Sequence, residues 1–216
     1  MAKRYVSNER ITPQLFANPL MEKLSHVHPS VPLILYIPVI SYCLYLATTR
    51  TNLSAGNIVL LFLVGIVAWT LAEYVIHRFV FHYEPKSRLG QRIHFLAHGV
   101  HHDYPRDPLR LVMPPVISIP LAIFFYVLFK AVLGITVTLP FYAGFVFGYL
   151  CYDMIHYATH HFSLKESKVA LWLKQYHSLH HYQDERYAYG VSNPLWDYVF
   201  RTTPKVLHSK TSEDAA

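Results

Sequence analysis

The chain has 216 residues, 53% of them hydrophobic and 15% charged, which suits one compact domain and is too apolar for an ordinary soluble one. Its formal net charge of +6 comes with no Lys/Arg run interleaved with aromatics, so nucleic acid is excluded as a partner and a membrane surface is the simpler reading. Cys43 and Cys151 lie in apolar stretches and form no C-x-x-C pair, which excludes a disulfide framework and a thiolate zinc ribbon.

In chain order, residues 1–30 form an amino-terminal segment with Pro13, Pro19 and Pro29 ahead of the first apolar run. No small-residue cleavage site follows that run, so a retained helix is expected and not a signal peptide. Four apolar stretches then appear, Val31–Thr48, Gly56–Ile76, Val116–Gly134 and Ile135–Asp153. Each is near the ~20 residues that a helix needs to cross a hydrocarbon core. The short joints, Arg50–Ala55 and the Gly134–Pro140 region, make each pair a hairpin. Basic residues concentrate before the first span, in the 78–112 loop and after the fourth span, while the joints carry only Arg50. The positive-inside bias therefore puts both termini and the large loop in the cytoplasm. Lys130 is the one basic residue inside a span, and its stem can snorkel to the interface. The polar stretch Ser209–Ala216 is expected to be a disordered tail.

Histidine is the anomaly: of 15 copies, 12 fall within 77–102 and 156–181. His26, His28 and His208 stand apart and are read as structural. The others form His77-Arg-Phe-Val-Phe-His82, His94, His98-Gly-Val-His101-His102, His156-Tyr-Ala-Thr-His160-His161 and His177-Ser-Leu-His180-His181. On a helix, residues three and four apart share a face, so His98/His101/His102, His156/His160 and His177/His180/His181 each predict converging imidazoles. His77 and His82 diverge by about 140° on an α-helix. They fit either a helix end that loosens or two ligands of different metals. Ten imidazoles exceed one first-row ion and suit two with about five each. Imidazole accepts iron, zinc, copper or nickel, so the ligand set does not choose the metal. No H-E-x-x-H occurs, which removes the common zinc-peptidase reading. Glu73, four residues before His77, and Asp153, three before His156, are placed to orient ligand imidazoles. Tyr149, Tyr152 and Asp153 share the His156 face and are expected to contact substrate or an oxygen intermediate. His94 and His161 are open between ligation, hydrogen bonding to a ligand, and packing.

The expected fold is thus all-α: an integral membrane protein of four transmembrane helices in two hairpins, with a cytoplasmic helical cap holding a histidine-rich dimetal site. The membrane domain is expected over 31–208, after the amino-terminal 1–30 and before the 209–216 tail.

From about Glu73 to Phe200 the motifs resemble the fatty acid hydroxylase (sterol desaturase) superfamily, specifically its fatty acid 2-hydroxylase branch. Besides the histidine motifs, the resemblance is carried by Arg110-Leu-Val-Met-Pro-Pro115, Gly148-Tyr-Leu-Cys-Tyr-Asp-Met-Ile-His156 and Leu195-Trp-Asp-Tyr198. It implies a membrane monooxygenase that uses two iron ions, dioxygen and two external electrons to hydroxylate carbon 2 of a lipid acyl chain, in eukaryotic members commonly that of a sphingolipid. Zinc competes for such imidazole sites in purified protein. Position by position, the metal ligands implied are His77, His82, His98, His101, His102, His156, His160, His177, His180 and His181, and the active-site polar residues are Tyr149, Tyr152 and Asp153. Many eukaryotic relatives carry a fused cytochrome b5 domain with a His-Pro-Gly-Gly signature. Here about 30 residues precede the first helix, so a separate donor is expected, cytochrome b5-like or ferredoxin-like. The location implied is the cytoplasmic face of a bacterial membrane, or of the endoplasmic reticulum in a eukaryote. The competing readings are sterol or carotenoid oxidation within the superfamily and, from another class, metal-ion transport. Transport is disfavoured because transporter ligands cluster near the bilayer midplane, whereas these histidines sit at span ends and in cytoplasmic segments.

Overall fold

A computed structural model of the chain describes residues 5–204. Among these residues all regular structure is helical: α1 (Pro19–Ser25), α2 (Ser30–Arg50), α3 (Ala55–Ile76), α4 (Arg88–His94), α5 (Val100–Asp103), α6 (Pro115–His161), α7 (Lys168–Tyr182) and α8 (Leu195–Val199). Two π-helical turns, His77–Phe81 and Phe95–Gly99, follow α3 and α4 directly. Local chemistry sets several starts. Asn18 accepts the amide hydrogens of Leu20 and Met21 at 2.9 and 3.2 Å, with Pro19 at the first helical position. Ser87 and Ser167 cap α4 and α7 through Gly90 N–H (3.1 Å) and Ala170 N–H (3.3 Å).

Three helical stretches are long and apolar enough to cross a membrane: Ser30–Arg50, Ala55–Phe81 and Pro115–His161. The third is not straight. Gly134 interrupts it at φ 72° and ψ 160°, a region open essentially to glycine alone. Phe125 then packs on Phe145 and Phe129 on Phe141, each pair with ring centroids 4.9 Å apart, and Tyr142 donates to the Ala122 carbonyl at 2.9 Å. In a straight helix residues 125 and 145 would lie about 30 Å apart, so the chain reverses at Gly134.

The chain divides into two compact units. One comprises Pro13–Ala72 and Leu109–Met154. In it, α3 approaches the second half of α6 backbone to backbone: a Cβ at Gly65 would lie 2.0 Å from the Phe141 carbonyl oxygen, and one at Gly144 1.9 Å from that of Phe62. Trp69 packs against Phe145 and Tyr149, and Tyr36 of α2 meets Tyr149 edge-on. The outward faces carry exposed Ile34, Val59, Leu60, Val127 and Val132, an apolar coat of the kind a soluble domain rarely exposes.

The other unit comprises Met1–Thr12, Glu73–Pro108 and Ile155–Ala216. The amino-terminal segment is tied to α5 by Val6 N–H and Ser7 N–H on the Asp103 carbonyl (2.9 and 3.1 Å). Tyr74 anchors the start of the unit by stacking on Phe200 and meeting the Thr202 hydroxyl at 3.0 Å. Helix α7 turns Tyr176, His177, His180 and His181 inward, all buried.

Candidate metal centre

The ten histidines of the four motifs all lie in this second-described unit, and the structure gathers them into two groups of five. His77, His82, His98, His102 and His180 make the first; His101, His156, His160, His177 and His181 make the second. Within each group the ring nitrogens lie within 4.8 Å of one another, and each group is able to hold a metal ion.

The backbone explains who joins whom. Between His77 and His82 the chain makes a π-helical turn, closed by His82 N–H on the His77 carbonyl at 3.3 Å. The extra residue in that turn brings i+5 round toward the azimuth of i. The helix end loosens, and both imidazoles enter one group. The two H-x-x-H-H motifs behave otherwise than a shared face predicts. His98 and His102 enter the first group while His101 enters the second; in α7, His177 and His181 enter the second while His180 enters the first. The outer pair, four residues apart, shares an azimuth; the inner histidine is rotated off it. Each motif therefore serves both groups, and the groups touch, with the His102 and His181 rings stacked at 4.3 Å.

Chemistry fixes the state of these rings. A carbonyl only accepts, so Nδ1 of His77 donates to the Tyr189 carbonyl (2.6 Å) and Nδ1 of His180 to that of Tyr187 (2.7 Å). Their Nε2 atoms then carry lone pairs that face inward. Burial, followed by the neighbouring imidazoles, pushes His98, His101, His102, His177 and His181 well below the ordinary histidine range, and holds His82 and His180 at about 3. Neutral imidazole is the metal-binding form. In the first group Nε2 of His82 lies 3.0 Å from that of His180 and 3.2 Å from that of His98; in the second, His101 and His156 are 2.8 Å apart and His160 and His177 2.9 Å. Nε2 of His77 is buried without any hydrogen-bond partner among the described residues. Lone pairs converging in a buried space are costly unless a cation sits among them. The residues fit two metal ions.

The backbone that presents Tyr187 and Tyr189 is itself constrained. Ala188 between them is fully buried and adopts φ 58°, a left-handed conformation that costs a non-glycine residue about 1–2 kcal/mol. Its N–H is held by the Thr202 carbonyl at 2.9 Å. Glu73 does not meet His77, as its spacing suggested; its carboxylate accepts from Val191 N–H (2.7 Å), Ser192 N–H (2.8 Å) and the Ser192 hydroxyl. His94 joins neither group and donates from Nε2 to the Phe81 carbonyl at 2.5 Å. His161 also joins neither and stacks on Tyr157 at 4.2 Å.

Tyr149, Tyr152 and Asp153 belong to the other unit. Asp153 is buried and accepts from the Tyr149 hydroxyl (3.1 Å) and Met113 N–H (3.3 Å), and Tyr152 packs on Trp69. In that unit too, Arg110 binds Glu22, the Pro13 carbonyl and the Ser25 hydroxyl, and His26 joins the same knot. His28 bonds Ser30, as a structural histidine would. His208 and the 209–216 tail lie outside the described residues.

Sequence reasoning did not find Asp197, which is fully buried and takes Tyr189 N–H and Gly190 N–H at 3.0 and 2.8 Å. Its signal was a lone carboxylate in the apolar run Leu195–Phe200. The Tyr187 and Tyr189 carbonyls left no signal, because backbone acceptors have no residue type.

Comparison with known proteins gives a consistent result. Residues 62–202 match the family model described as fatty acid hydroxylase. The chain is 37% identical to the dihydroceramide fatty acyl 2-hydroxylase FAH1 of Arabidopsis thaliana over 193 residues, covering 89% of this chain and 80% of that protein. It is 38% identical to the ceramide very long chain fatty acid hydroxylase SCS7 of Saccharomyces cerevisiae, covering 87% of this chain and 48% of that one. A solved structure described as full-length scs7p, with only its hydroxylase domain visible, superposes with a TM-score of 0.82 at 39% identity, covering 88% of this chain and 71% of that one.

Proposed function

The chain belongs to the fatty acid hydroxylase family, and from that premise we propose that it hydroxylates carbon 2 of a lipid-borne fatty acyl chain at two histidine-bound metal ions. The observation that carries the reading is the pair of touching five-imidazole groups, each with ring nitrogens converging within 4.8 Å. The relatives named above act on ceramide or dihydroceramide acyl chains, and a sphingolipid acyl chain is the first substrate to test.

In this reading the ten histidines are the ligands and iron is the working metal. When bound, the metal pair supplies the activation of dioxygen. The balance is that of a monooxygenase: one C–H bond becomes C–OH, the second oxygen atom leaves as water, and two electrons and two protons come from outside the chain. A separate donor, cytochrome b5-like or ferredoxin-like, provides the electrons. The protein's part is to keep the imidazoles neutral, fix their direction and exclude water. Tyr149, Tyr152 and Asp153 are assigned to substrate contact, since a carboxyl kept in a span is costly without a use.

The third apolar stretch is assigned two crossings, because about 70 Å of helix exceeds one bilayer core and the chain reverses at Gly134. That gives four crossings, and the basic loop and tail put the metal groups on the cytoplasmic face. The membrane domain is assigned to 31–208.

The test is co-expression with a compatible donor and measurement of 2-hydroxy fatty acids in hydrolysed total lipid by mass spectrometry. The product is expected with the intact chain and absent with His177→Ala. Hydroxylation at another carbon, or of a sterol or carotenoid, would overturn the carbon-2 assignment.

A further inference from the structure

Four consecutive backbone N–H groups point at two carboxylates. Asp197 takes those of Tyr189 and Gly190 at 3.0 and 2.8 Å; Glu73 takes those of Val191 and Ser192 at 2.7 and 2.8 Å. Hydroxyls complete both carboxylates, that of Thr202 on Asp197 at 2.7 Å and that of Ser192 on Glu73. Both acids are buried, at 0% and 3% exposure.

Asp197 holds the Tyr189 carbonyl through Gly190 N–H of the same peptide, and reaches the Tyr187 carbonyl one step further off, since the Ala188 N–H of that peptide is bonded to the Thr202 carbonyl and the Thr202 hydroxyl to Asp197. The Tyr189 carbonyl meets Nδ1 of His77 and the Tyr187 carbonyl meets Nδ1 of His180. Both histidines belong to the first group. The second group has no such support at His177 and His181, whose Nδ1 atoms are buried without a hydrogen-bond partner among the described residues. An acceptor on the remote ring nitrogen fixes the tautomer, aims the ring and raises its basicity as a ligand.

We propose that Glu73 and Asp197 are positioning residues for one metal position only: they clamp the 189–192 backbone and so set His77 and His180, making the first group the more retentive of the two. The proposal rests on the reading of both groups as metal sites.

The test uses two full-length parent proteins. His160→Ala leaves only the first group complete, and His82→Ala leaves only the second. Each is loaded with Zn2+ and challenged with a graded chelator, zinc per chain being measured by elemental analysis; the Co2+-substituted absorption spectrum reports the ligand field independently. Adding Glu73→Gln or Asp197→Asn is expected to weaken zinc retention about 10-fold or more in the His160→Ala parent, with a changed cobalt spectrum. In the His82→Ala parent both readouts should stay unchanged. Where the acid substitutions reduce folded yield, Ser192→Ala removes a single donor to Glu73 and should show the same selectivity at smaller size. Equal losses in both parents would overturn the proposal by making the carboxylates generally structural, and so would no loss in either. Parents that hold no zinc or cobalt at all would overturn the metal reading itself, a result distinct from a loss of selectivity.

Discussion

A histidine packed inside a protein has two nitrogens to satisfy, and the fate of the second decides what the first can do. His180 gives Nδ1–H to the Tyr187 carbonyl and so turns a lone pair inward; His94 gives Nε2–H to the Phe81 carbonyl and stands outside both groups. His180→Ala is therefore expected to cost the ion of the first group and His160→Ala that of the second, each leaving about one metal per chain by elemental analysis. Loss of both ions from either substitution would mean that the groups do not bind independently. A different side chain governs the amino-terminal segment. Desolvation raises the Glu22 carboxyl, but the Phe16 and Leu15 amides and the Arg110 guanidinium outweigh it and hold it at about 2. A carboxyl depressed in the folded state contributes stability above its unfolded value of about 4.3, which is lost as pH falls toward 2. Proteolysis within 13–27 should thus rise between about pH 4 and pH 2, and Glu22→Gln should show the raised cleavage already at pH 7.

Among the elements, the π-helical turn His77–Phe81 has the largest consequence per residue. Inserting one alanine after Val80 would keep the turn but swing His82 round from His77 by about a further 100°. The expected result is loss of one metal per chain with helicity by circular dichroism unchanged. The Gly134 reversal separates backbone strain from packing, because a Cβ there meets nothing within 4 Å. Gly134→Ala should then cost about 1–3 kcal/mol through its dihedral angles alone, lowering Tm in detergent while two metals stay bound. The histidine motifs were legible in the sequence because imidazole is rare enough to count, and the helix pairs were legible because apolar runs have a length. The allotment of histidines between the groups was not. It depends on a single extra residue in one turn and on the angle between i+3 and i+4 in two others, which a shared-face argument blurs. Glu73 was legible as a carboxylate that needed a partner near a span, but its partners lie 118 and 119 residues away, at Val191 and Ser192, beyond any local spacing rule.

At the scale of the molecule, the histidine-bearing unit is assembled from chain segments with residues 13–72 and 109–154 between them, and buried imidazoles stand where a soluble core would have apolar side chains. Such a unit is expected to depend on its ions for stability. Chelation should lower Tm, and restoring metal at about 100 times its Kd should return about 2.7 kcal/mol per ion; an unchanged Tm would argue that the imidazoles pack stably without metal. Acyl hydroxylation is to be measured with purified, iron-loaded chain, a reducing donor protein, a ceramide substrate and 18O2. The expected product is a 2-hydroxyacyl lipid carrying one 18O atom, absent with His177→Ala. A reduced, fully loaded protein that yields no such product, or one whose hydroxyl oxygen comes from water, would contradict the proposed reaction.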